Sequence, residues 1–104
     1  MEASYRAIAD PHRRRILDLL AEGERAVSEL GQHFDFSQPA LSKHLRVLRE
    51  AGLVRIRAVG RRRLYSLDAA RLKPVAEWVA HYERFWNDKL DGLGELLDSE
   101  EAGQ

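Results

Sequence analysis

Apolar positions in the first half of the chain recur at intervals of three and four, the spacing of helices that bury one face. A short first helix is predicted over about residues 3–9. Asp10 then stands as N-cap before Pro11, opening a second helix that runs to about Glu22, where Gly23 stops it. Ile16, Leu19 and Leu20 form its apolar stripe. A third helix is predicted from near Ser28 to His33 or Phe34, with Glu29 in the first turn, where the helix dipole favours negative charge. Asp35-Phe36-Ser37 leaves room only for a tight turn. Ser37 caps a fourth helix, about 38–51, in which Pro39 is tolerated because first-turn N–H groups have no internal partner. Leu41, Leu45 and Leu48 define its buried face, and Gly52 suits the position just past its end.

After Gly52 the period changes to two. Val54, Ile56 and Ala58 alternate with Arg55 and Arg57, and Leu64 to Leu67 provide a returning strand, giving a hairpin over about 53–67. Gly60-Arg61 suits a two-residue turn with glycine first, which places Arg61, Arg62 and Arg63 at its tip. From Arg71 the helical pattern returns through Val75, Trp78, Val79, Tyr82, Phe85, Trp86, Leu90, Leu93, Leu96 and Leu97, read as one helix of about 26 residues over 71–97. The order is α-α-α-α-β-β-α, a mainly α (α+β) chain read as a single domain over 1–104. Two helices joined by a short turn and followed by an arginine-rich hairpin describe a winged helix-turn-helix.

Composition narrows the function. The 104 residues are one domain's worth and include no cysteine, which excludes disulfides, thiolate metal sites and cysteine nucleophiles. No apolar run approaches the ~18 residues of a membrane span, and Met1 opens directly onto Glu2 rather than a signal peptide, so the cytoplasm is the expected address. Basic and acidic side chains balance at 17 each, but not locally. Residues 1–66 hold 13 basic against 8 acidic side chains, a net of +5, and residues 67–104 hold 4 against 9, a net of −5. Between Ser37 and Ser66, eight basic residues face Glu50 alone. Such a block points to a polyanion, which the whole-chain charge conceals.

The fourth helix carries the chemistry to match. A helix about 10–12 Å across fits a major groove about 12 Å wide. Pro39, Lys43, Arg46 and Glu50 lie opposite the leucines, with Gln38, Ser42 and Arg49 on one flank. Gln can bond adenine through two hydrogen bonds, Ser can meet a base edge or a phosphate, and Lys and Arg read guanine or neutralise phosphate. His44 falls nearer the core side, where a histidine bonded to backbone and a DNA contact are both open readings. Three consecutive arginines at a hairpin tip repel one another, so phosphate or a minor groove is their expected partner. For Arg55 and Arg57, solvent exposure and a role at the interface stay open.

The chain resembles the ArsR-type family of bacterial winged-helix repressors over nearly its whole length. The matching residues are Ala9 to Leu17, Val27-Ser28-Glu29-Leu30, the specific central stretch Ser37-Gln38-Pro39-Ala40-Leu41-Ser42-Lys43-His44-Leu45-Arg46-Val47-Leu48, continuing to Val54, and Gly60 to Tyr65. The resemblance implies a homodimer that binds an operator in double-stranded DNA and blocks transcription. It places Ser37, Gln38, Ser42 and His44 on the recognition helix. The family is also known for metal sensing, and here the chain departs from it. Glu29-Leu30-Gly31-Gln32 stands where thiolate ligands would lie. His81 matches one ligand of the terminal-helix site, but Val79 and Gly92 replace its neighbours, and Glu95 alone makes no cage of about four ligands. No metal or other cofactor is expected, and the sequence names no small-molecule effector.

The aromatic final helix needs cover. Burying one large apolar side chain is worth about 1.5–3 kcal/mol, and a chain of this size has limited interior. Pairing with a second copy through Trp78, Tyr82, Phe85, Trp86, Leu90, Leu93 and Leu97, joined by Tyr5 and Ile8, is therefore expected. The alternative function is a winged-helix protein–protein adaptor without DNA binding, which would need neither a basic recognition helix nor a basic wing. An enzyme is not expected. No G-x-S-x-G, phosphate-cradling glycine loop or H-E-x-x-H occurs, and Ser42 and His44 point about 200° apart on their helix.

Overall fold

A computed structural model describes residues 2–87. By internal packing the chain divides into two compact units, one ending at Lys73 and the other beginning at Pro74.

In the first unit, α1 (Glu2–Ile8) leads into α2 (Pro11–Glu22). The Asp10 carboxylate accepts from the backbone N–H of His12 at 2.7 Å and of Arg13 at 3.2 Å, which satisfies two orphan donors of α2. The other end of the turn is closed from α2: Arg13 and Arg14 donate to the last carbonyls of α1, at Arg6, Ala7 and Ile8. Cationic donors suit the negative end of a helix dipole. Much of the Arg13-Arg14-Arg15 run thus serves the fold.

A two-residue strand, β1 (Arg25–Ala26), precedes α3 (Val27–Gly31), and α4 (Gln38–Glu50) follows a short turn. α3 starts one residue earlier and ends sooner than the sequence predicts. Its N-cap is Ala26, which offers no side-chain bond, and beyond Gly31 the amides of His33 and Phe34 reach back only three residues. α4 begins as expected, with Ser37 Oγ accepting from the Ala40 amide at 3.3 Å. It ends in a Schellman motif: Gly52 N–H bonds Arg49 O and Leu53 N–H bonds Leu48 O, with Gly52 at φ +78° and both leucines fully buried. Leu41, Leu45 and Leu48 join Ile16, Leu20 and Leu30 in one core.

The hairpin consists of β2 (Val54–Val59) and β3 (Arg62–Leu67), and β1 pairs with the other edge of β3, so the sheet has three strands in the order β1-β3-β2. Val59 faces Arg62 across the turn, and Gly60 takes φ +62° while Arg61 does not go positive, the pattern of a type II′ turn. Only Arg61 of the three arginines lies in the turn; Arg62 and Arg63 open β3, a correction to their expected place at the tip.

The predicted 26-residue final helix is also corrected. A 3-10 turn (Ala69–Leu72) leads to α5 (Lys73–Ala80), His81 and Tyr82 form a turn, and residues 83–87 are helical again. At the break the amides of His81 and Tyr82 bond three residues back, to Trp78 O and Val79 O, which tightens the backbone without a glycine or proline. Residues 88–97 of the predicted helix lie outside the described residues, and with them Leu90, Leu93 and Leu97.

Candidate nucleic-acid interface

The leucine face of α4 is locked into the core, and this decides what the opposite face presents. Gln38, Pro39, Ser42, Lys43 and Arg46 are all exposed, and Pro39, Ser42, Lys43 and Arg46 line one open groove of about 480 Å³. Four of the predicted contact residues are thus brought together. Ser37 is exposed at the head of the helix, but its hydroxyl is engaged as the cap.

Strand register splits the arginines of the hairpin. Residues opposite one another across an antiparallel pair share a face. Arg63, opposite Ala58, shares the face of Ile56 and Val54; with Arg49 of α4 and Arg55 it lines a recess of about 510 Å³. Arg62, opposite Val59, lies on the other face with Arg57. There both meet carboxylates. Arg57 makes a two-pronged bond to Glu24, at 2.6 and 3.2 Å, which raises the guanidinium pKa and holds the Glu24 carboxyl below its ordinary value. Arg62 pairs with Glu29 of α3. Arg55 bonds Asp68 at 3.0 Å. The mutual repulsion expected of the three consecutive arginines is therefore relieved at Arg62 by the Glu29 carboxylate.

Lys43, Arg46, Arg61 and Arg63, by contrast, have no carboxylate partner among the described residues. The sequence singles out all four. Sequence reasoning missed Glu24 and Glu29 as anchors of the wing. It had no signal for them beyond opposite charge, since each lies 33 residues from its arginine.

His44, on the same helix, is half-buried. Its partner is a side chain, Arg13, rather than backbone, with Arg13 Nη1 3.4 Å from His44 Nδ1. The rings of Phe36 and His12 lie 5.4 and 5.9 Å from its own, and Phe36 stacks on Phe34 at 4.8 Å. The two phenylalanines of the turn thus wedge α4 against α2. Burial pushes the His44 pKa below its ordinary value; Arg13, His12 and Lys43 push the same way, against the pull of Asp10.

Residues 10–55 match the bacterial regulatory proteins of the arsR family. Over 99 residues the chain is 41% identical to an HTH-type transcriptional regulator of Mycobacterium tuberculosis, covering 95% of this chain and 90% of that protein. This chain belongs to the arsR family. The transcriptional repressor SdpR of Bacillus subtilis is 34% identical over 82 residues, 79% of this chain and 91% of that protein. Among solved structures, the fold is similar to a homodimeric winged helix-turn-helix DNA-binding domain from Mycobacterium bovis, with a TM-score of 0.64 and 36% identity over 78% of each chain. The arsR protein described here is a transcriptional regulator with a winged helix-turn-helix fold, α3 and α4 forming the helix-turn-helix and β2–β3 the wing.

Two negative observations complete the site. Among the described residues, no three His, Asp or Glu side chains gather as metal ligands would, and no helix is long and apolar enough to cross a membrane.

In the second unit Trp78, Tyr82, Phe85 and Trp86 each leave between 44% and 52% of their surface exposed in the single chain. Trp78 and Tyr82 meet edge to face at 5.4 Å, and the Arg84 guanidinium covers the Phe85 ring at 5.1 Å. Tyr5 and Ile8 on α1 are half-buried, Ile8 against the core.

Proposed function

We propose that this arsR protein is a homodimeric repressor that binds a pseudo-palindromic operator in double-stranded DNA, the whole chain acting as one DNA-binding domain. The reading rests on one observation. Exposed cations of α4 and the wing stand without carboxylates, while Arg57 and Arg62 are already neutralised. An uncovered cation facing outward costs nothing when phosphate supplies the counter-charge. In this reading Gln38, Pro39, Ser42, Lys43, His44 and Arg46 enter the major groove, with Ser37 at its edge. Arg61 and Arg63 reach the flanking backbone or minor groove, and Arg62 is held chiefly by Glu29.

The exposed aromatics Trp78, Tyr82, Phe85 and Trp86 join two copies, with Tyr5 and Ile8. Two recognition helices about 34 Å apart then read successive major grooves. The names of SdpR, a repressor, and of the homodimeric Mycobacterium bovis domain support this assignment. An address in the cytoplasm, where bacterial DNA lies, goes with it.

Gel shifts with the DNA upstream of the protein's own gene, competed by a shuffled duplex, test the reading. Retention against the shuffled competitor is expected, and Gln38→Ala should relax choice at one base pair by about 1–3 kcal/mol. Equal displacement by both competitors would remove sequence-specific repression from consideration.

A further inference from the structure

One guanidinium joins three helices. Arg13 Nε donates to Ala7 O at 2.6 Å and its Nη2 to Arg6 O at 2.9 Å, at the end of α1. Its Nη1 lies 3.4 Å from His44 Nδ1, in the middle of α4, and 4.0 Å from the Asp10 carboxylate. A guanidinium has five N–H donors, no acceptor, and does not lose its proton in proteins. The imidazole nitrogen facing it is therefore the acceptor. A neutral imidazole that accepts at Nδ1 carries its single proton on Nε2.

The surroundings favour the neutral ring. His44 is half-buried against the rings of Phe36 and His12, and the positive charges of Arg13 and Lys43 oppose a further one; among the described residues Asp10 is the carboxylate that favours it. No acceptor among the described residues takes the Nε2–H.

Resting on the operator-binding reading above, we propose that Arg13 is a positioning residue for DNA recognition: it fixes His44 as the Nε2–H tautomer, so that α4 offers a base edge a hydrogen-bond donor at that position. The acceptors a donor can meet in the major groove are guanine N7 and O6, adenine N7 and thymine O4. The same contact links the end of α1 to the reading helix through a single side chain.

Long-range 1H–15N spectra of histidine-labelled protein read the tautomer directly. At pH 7.5 His44 is expected protonated at Nε2, with a titration midpoint below about 6.5. Arg13→Met should mix the tautomers and raise that midpoint, because a neighbouring positive charge has gone. If Arg13 merely caps α1, neither signature moves, and the proposal is overturned.

Arg13→Met also frees the Arg6 and Ala7 carbonyls, so a second pair of variants leaves Arg13 in place. Gln at position 44 sets an amide N–H near the Nε2 position; Asn sets a carbonyl near Nδ1 and offers no outward donor. The probe is a duplex selected by the wild-type protein from a random-sequence pool. His44→Gln should bind it within about threefold of wild type, and His44→Asn roughly tenfold more weakly with choice relaxed at one base pair. Equal losses, or a loss that is uniform across all duplexes and so reports phosphate contact, overturn the proposal. Should the wild type select no duplex, operator binding fails as a reading, and the tautomer spectra still decide the part played by Arg13.

Discussion

Leu48 is fully buried and contributes both to the leucine face of α4 and to the closing motif with Leu53. Leu48→Ala should therefore cost about 2–5 kcal/mol in a denaturant titration, and a value under about 1 kcal/mol would mean that α4 does not anchor the core. Asp10 is legible as a cap from the Asp-Pro pair alone, and the structure shows both amide bonds. His44 sets a pH dependence. Its folded-state pKa is depressed, so the unfolded chain takes up the proton first as pH falls. Its contribution to stability is full above the ordinary histidine value of about 6.5, declines as pH drops from there toward the folded pKa, and is constant below it. Thermal midpoints between pH 7.5 and 5 should fall more steeply for wild type than for His44→Gln; parallel curves would show that His44 is solvated. The aromatic setting of that histidine was not legible, because His12, Phe36 and His44 come from three separate segments and no spacing rule joins them.

At the scale of elements, the pieces with local signals were readable. α2 and α4 carry caps, proline in the first turn and glycine past the end, and their apolar stripes lie on the buried face as predicted. β1 was not readable, since two residues cannot display an alternation and its pairing with β3 is decided by tertiary contact. The turn at His81 and Tyr82 was hidden for a related reason: side-chain periodicity persists through a short switch of backbone bonds. Register is what divides Arg62 from Arg63, and three identical neighbours in sequence give no hint of it. The division yields a prediction for the wing. Arg61→Ala with Arg63→Ala should flatten the salt dependence of DNA binding, measured as the slope of log affinity against log salt, by about 0.9 for each phosphate left unneutralised. Arg62→Ala should alter that slope much less and instead loosen the wing, seen as faster amide exchange in β3. Equal slope changes would mean that Glu29 does not hold Arg62.

For the whole molecule, charge and apolar surface are segregated along the chain: net +5 to residue 66, net −5 after it, with the exposed aromatics in the later part. This arrangement suits a protein that meets a polyanion with one region and a second copy of itself with another. Phe85→Ala with Trp86→Ala should shift sedimentation toward the monomer and weaken operator binding together, because a lone half-site is read by a single helix. A monomer with undiminished affinity would uncouple the two. The most direct measurement is the affinity of the wild-type protein for a labelled upstream duplex, followed by fluorescence anisotropy from about 50 to 200 mM salt. Lys43, Arg46, Arg61 and Arg63 in each of two subunits make about eight phosphate contacts available, so affinity should fall roughly 10³- to 10⁵-fold across that range. Absence of binding in dilute salt, or an affinity indifferent to salt, would contradict the assignment of α4 and the wing to DNA.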